Sequence, residues 1–224
     1  MNKNYFKFLI FDILLIIFFL IILSLFLIPF TFNIYKNLNK NYPIFLSFVK
    51  FAILATYGEI ISYRIKNKKF IDKNFGIFPK MLIWGFLGIN IYFAFSIFSN
   101  GVIFGIIKPI EESFNFKINN IFSSFLISFF MNLFFAPVMM LSHALTDLQI
   151  KLNNGKFNIS KFYISKLIKE IDWDRMWGFV YKKTIPFFWI PAHTITFLLP
   201  SDFRVLFAAL LSIFLGILLA FKKN

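Results

Sequence analysis

A few ionisable side chains stand where long apolar runs would otherwise be plain hydrocarbon. In LSHALTDLQ, His143 and Asp147 are four residues apart, so both lie on one face of a helix and could form a proton relay or gate. At the membrane surface the same pair would be a solvated helix-end contact. In LATYGEIISYR, Glu59 follows Gly58 and lies near a face of small residues, Ala55 and Thr56, where a second helix can approach closely. A carboxylate there lines a crossing or a cavity, unless Arg64, five residues on, draws it into a simple ion pair. The stretch FFWIPAHTITFLLPSDFRVLF carries His193, Thr194, Thr196 and Arg204 beside Pro186, Pro191 and Pro200. Each proline removes a backbone donor, so broken backbone at this depth must meet protein or a water-filled cavity. His193, Thr194 and Thr196 are the natural side chains to face it, with Trp189 one turn from His193. The alternative is a kinked packing helix whose hydroxyls bond its own carbonyls.

Other chemistry finds little material. The chain has no cysteine, which excludes disulfides, thiolate metal sites and a cysteine nucleophile. Two histidines are too few for an all-histidine metal site, and no cofactor motif is found. Asp12, near the start of the first apolar run, suits a helix N-terminus, and Lys50 can snorkel; both read as structural.

The elements that must position these groups follow from composition. Hydrophobic residues make up 59% of the chain and the mean hydropathy is +0.75, far above a soluble domain. Apolar runs at 8–30, 44–63, 76–98, 121–145, 184–199 and 203–221 predict an all-α polytopic transmembrane bundle of six passes. The whole chain, 1–224, forms one membrane domain, with a retained first helix over 5–32. Of the 24 Lys and Arg, eighteen fall on the side holding both termini and the second and fourth connectors, Lys80 among them. Five fall on the other side, and Lys50 lies inside a pass. This bias predicts cytoplasmic termini. A net charge of +14 so distributed points to anionic headgroups rather than nucleic acid. NISKFYISKLIKEID predicts an interfacial amphipathic helix, Trp84, Trp173, Trp177, Tyr181 and Trp189 fit aromatic belts, and Gly85 and Gly88 mark a close-packing face. Without an Arg-rich presequence, a bacterial plasma membrane is expected, the alternative being an organellar inner membrane.

The run from Phe187 to Phe221 resembles the C-terminal signature of the Mpv/PMP family of peroxisomal and mitochondrial inner-membrane proteins. Trp189, Phe197, Pro200 and Arg204 occupy matching positions, His193 stands where the family has Gln, Thr196 where it has Asn, and Pro191 comes one residue late. Upstream, YGEIISYR is similar to the family's Gly-Asp element with Glu59 for Asp, and Phe135 to Pro137 to its Phe-Ala-Pro element. The likeness covers about 46–221 and implies a helical bundle of a kind proposed to form pores for small solutes. Glu111, Glu112, His143 and His193 also follow the order seen in CAAX-prenyl-protease-like membrane enzymes, but Phe116, Met139 and Phe197 replace that family's Arg, aromatic and Asn. A non-catalytic scaffold is the third reading, and homo-oligomerisation is left open. The expectation is a pore for small solutes or ions, with Glu59, His143, Asp147, His193 and Arg204 as lining or gate residues.

Overall fold

The computed structural model describes residues 3–69 and 71–221, with side chains from residue 9 onward except at positions 73 and 219. Lys222 and Lys223 lie outside the described residues, as do the side chains of Lys3, Lys7 and Lys73. Among the described residues every regular element is helical: α1 Lys3–Leu27, α2 Pro29–Asn41, α3 Pro43–Asn67, α4 Ile77–Val102, α5 Lys108–Phe114, α6 Asn120–Phe134, α7 Ala136–Leu152, α8 Ile164–Glu170, α9 Trp173–Arg175, α10 Ile190–Leu198 and α11 Ser201–Phe221.

Four helical stretches are long and apolar enough to cross a membrane: Leu9–Leu27, Pro43–Asn67, Ile77–Phe114 and Ser201–Leu218. The pair α6 and α7, bent by 45°, makes a fifth if it is one span. Its bend falls where Pro137, in the first turn of α7, cannot supply a backbone donor. The segment 184–199 does not meet the same test of length and composition, so the structure carries four or five such spans rather than the six expected.

Three other expectations are corrected. The first helix does not run over 5–32: it ends at Leu27, and Pro29 opens α2. The third run does not end at residue 98, because a π-helical turn, Ile103–Ile107, carries α4 into α5 and the helical stretch on to Phe114. The amphipathic helix expected over 158–172 is broken into a 3-10 turn, Ile159–Lys161, and the short α8, which buries only Leu167.

The prolines shape the other irregular stretch. A π-helix, Met176–Trp189, contains Pro186 and runs directly into α10, where Pro191 sits in the first turn. The Ile190 N–H accordingly reaches back five residues to the Ile185 carbonyl. The Ile190 carbonyl accepts from the hydroxyls of Ser128 (2.7 Å) and Thr194 (2.8 Å), so its oxygen is satisfied by side chains.

Close packing of α3 sets the core. A Cβ on Gly88 would lie 2.6 Å from the Ser47 carbonyl oxygen, and one on Gly58 would lie 2.8 Å from the Ile213 Cα. These glycines bring α4 and α11 into close contact with α3, around a core that includes Phe51, Leu54, Phe95, Met131, Phe197 and Leu206. At one end of the bundle the connectors meet: Gly76, with φ +70°, packs so closely on Gly155 that a Cβ would lie 2.7 Å from its carbonyl oxygen. None of the spanning window of α1 is buried. Its ties to α3 include two Arg64 hydrogen bonds to Asp12, each 2.8 Å, and one from Tyr57 Oη to the Leu15 carbonyl at 2.9 Å.

Candidate functional site

Between α3, α4, α6, α7, α11 and the π-helix–α10 rod lies a cavity of about 800 Å³. From Phe51 to Asn67 it follows α3 for about 24 Å at helical rise. Its mouth, lined by Lys66, Asn74, Lys151 and Arg175, lies at the end where the connectors meet. Inward the lining becomes apolar and stops at Phe51, Phe95, Met131 and Ala208. Beyond these lie buried Val102, Ile127, Phe197, Val205 and Leu206. Lys66, Asn67, Asn74, Lys151 and Arg175 at the connector end are exposed, whereas Phe51, Phe95, Met131, His193 and Ala208 at the other end are buried, which gives the cavity the form of a vestibule entered at the connectors.

Its waist is a charged network drawn from three helices. Lys80 Nζ, on the first turn of α4, donates to Glu59 Oε2 on α3 (2.7 Å) and to Asp147 Oδ1 on α7. Glu59 Oε1 accepts from Trp84 Nε1 (2.7 Å) and from His143 Nε2 (3.0 Å). Each partner follows from helical spacing: Lys80 and Trp84 are one turn apart on α4, and His143 and Asp147 one turn apart on α7. The α7 pair does not form a direct relay, since the ring bonds Glu59 and the carboxylate bonds Lys80. The rings of Trp84 and His143 pack with centroids 4.3 Å apart, and Phe75 lies 5.0 Å from the Lys80 ammonium. That ammonium fills the position between the two carboxylates where a cation would otherwise sit.

The deep end is built around His193. The ring is only 8% exposed and stacks on Trp189 at 5.0 Å, one turn earlier. The edge-on ring of Phe95 lies 5.6 Å away. Its Nδ1 faces the Asn132 amide, whose Nδ2 lies at 3.1 Å and also donates to the Ser128 carbonyl at 2.8 Å. Asn132 Oδ1 also lies 3.3 Å from Nδ1, but the Ser128 bond orients the amide with Nδ2 nearer, which favours the tautomer with the imidazole proton on Nε2. Trp189 lines the same end, and its indole N–H is buried without a hydrogen-bond partner.

Four of the five residues expected to line a polar interior therefore share one cavity: Glu59, His143, Asp147 and His193. Arg204 does not line it. Its guanidinium donates to the carbonyls of Leu199 (3.0 Å) and Phe197 (3.1 Å), tying down the end of α10. Thr194 and Thr196 bond carbonyls of their own rod, at Ile190 and Ala192. Arg64 is held by Asp12, which leaves Glu59 to the cavity. Trp84 and Trp189 turn inward to the cavity rather than to a membrane belt. Lys50 is buried rather than snorkelling: its Nζ donates to Asn39 Oδ1 at 2.7 Å, and Asn39 Nδ2 in turn reaches the Asp202 carbonyl at 3.2 Å. Lys80, counted with the connector charges, proves to be the centre of the network. The signal was available, since position 80 falls inside the run 76–98, but the charge count took precedence. Glu111 and Glu112 are absent from the lining, and Glu111 instead accepts the Ile118 N–H at 2.7 Å. The protease-like set of two glutamates and two histidines is not assembled around this cavity.

No protein-family model, curated protein or solved structure matches the chain.

Proposed function

We propose that the protein is an integral membrane protein that provides a pathway for small solutes, and that the conformation described is open to one side only. The reading rests on one observation: a vestibule about 24 Å deep leads from charged connectors, past the Glu59–Lys80–Asp147 network, to a polar group within the core, His193. Ionisable groups inside a bundle are costly, and a scaffold has no need of the space around them. The resemblance to the Mpv/PMP family in the residues from Glu59 to Arg204 supports the same class. With both termini on the positively charged side, the mouth faces the cytoplasm. The rod from Trp173 to Leu198 supplies the sixth crossing, since its π-helical breaks are satisfied by protein partners. Conduction then requires the far-side plug of Phe197, Val205 and Leu206 to part.

The test is reconstitution of the purified protein into planar bilayers and sealed liposomes. Expected are discrete currents or solute flux in wild type, altered in Glu59→Gln and in His193→Gln. Absence of both signals from protein that is folded and inserted overturns the pathway reading.

A further inference from the structure

The polar groups along the vestibule divide into those already satisfied and those left for a ligand. Every lining carboxylate holds a donor: Glu59 takes Lys80, Trp84 and His143, Asp147 takes Lys80, and Asp72 takes Tyr63 Oη at 2.8 Å and the Asn74 N–H at 2.9 Å. The charged side chains with no hydrogen-bond or ion-pair partner among the described residues are the three mouth cations, Lys66, Lys151 and Arg175. They come from α3, α7 and α9 and converge on one opening. At the blind end, the Asn132–Ser128 arrangement favours the His193 proton on Nε2, which has no hydrogen-bond partner among the described residues. Between the two ends the wall is apolar and aromatic except at the waist, where the Glu59–Lys80–Asp147 network is satisfied by its own partners.

A ligand that complements this lining has a negative group that stays at the wet mouth, an apolar body, and a hydrogen-bond acceptor at its far end. A cationic head meets three positive charges against the single mouth carboxylate, Asp72, which already accepts from Tyr63 and Asn74, while an anion buried deep would lose its hydration in an apolar wall. We propose that the vestibule binds long-chain organic carboxylates tail-first, with the carboxylate at Lys66, Lys151 and Arg175 and a terminal hydroxyl or carbonyl oxygen accepting from His193 Nε2. The inference rests on the pathway reading for its purpose and not for its chemistry, because binding alone is at issue.

Equilibrium dialysis with the intact chain in nanodiscs of zwitterionic lipid, corrected against empty nanodiscs, separates site binding from partition into lipid. The probes are hexadecanoate, 16-hydroxyhexadecanoate, hexadecanamide and hexadecylammonium. Saturable hexadecanoate binding is expected, with hexadecanamide and hexadecylammonium about tenfold weaker or more. The 16-hydroxy compound binds more tightly than hexadecanoate in wild type, and that preference disappears in His193→Phe. If His193→Phe does not fold, Lys66→Gln with Arg175→Gln at the exposed mouth decides: hexadecanoate weakens about tenfold while hexadecanamide is unchanged. Hexadecylammonium binding as tightly as hexadecanoate, or no uptake beyond empty nanodiscs, overturns the proposal. Hexadecanoate binding without flux in the liposomes leaves the ligand class standing and removes the pathway.

Discussion

Lys80 is the side chain on which the interior depends most. With its side chain 10% exposed between Glu59 and Asp147, it offsets two carboxylates that would otherwise face each other across the vestibule. Lys80→Met leaves a buried charge uncompensated, at a cost of about 3 kcal/mol. Thermal unfolding in detergent should show that loss, and Glu59→Gln combined with Lys80→Met should recover a large part of it. If the double variant is no more stable than Lys80→Met, the network is not acting as a charge pair. Asp12→Asn provides the contrast: the carboxylate is 44% exposed, and its pair with Arg64 contributes about 1 kcal/mol or less. The grouping of Glu59, His143 and Asp147 was legible in the sequence because each is costly in hydrocarbon and each lies on a definable helix face. Lys80 escaped the same reasoning because a lysine near a helix end is usually a topology signal, and only tertiary contact distinguishes a partnered one.

At the scale of elements, glycine separates packed faces from open ones. Gly88→Ala drives a Cβ against the Ser47 carbonyl and the Phe51 side chain, and Gly58→Ala drives one against the Ile213 backbone. Each should destabilise by about 1–3 kcal/mol, with the loss read from the melting temperature in detergent. Gly101→Ala, with nothing within 4 Å, should be neutral or slightly stabilising in the same assay. The Gly85–Gly88 face and the break at Pro137 were both readable, since small residues and prolines act locally. The π-helix was not: three prolines announce a disturbance, but whether it becomes a kink, a loop or a widened turn depends on partners such as Ser128 from another helix. The interfacial helix failed for a related reason. Helical spacing over 159–171 is real, yet the chain turns at Phe162 and Tyr163, where both residues adopt non-helical backbone.

For the whole molecule, the number of crossings is directly measurable because the chain contains no cysteine. Single cysteines at Lys156, Asp174, Lys117 and Asp202 can be labelled from either side of sealed vesicles. Lys156 and Asp174 should react from the side of the N-terminus, and Lys117 and Asp202 from the opposite side. Labelling of Asp174 and Asp202 from the same side removes the crossing by the rod between Trp173 and Leu198. Composition was enough to expect helices long and apolar enough to cross a membrane, whereas the cavity was beyond its reach, because empty space depends on how faces from several elements meet. On the proposed reading that space is entered only from the connector end, so its occupancy follows the ligand concentration in one compartment alone. In a sealed vesicle preparation, an impermeant ligand added to the bath therefore titrates only those copies that present the mouth outward. Permeabilising the vesicles reveals the remainder, and the ratio of the two saturation amplitudes becomes a direct count of how the protein was oriented on insertion.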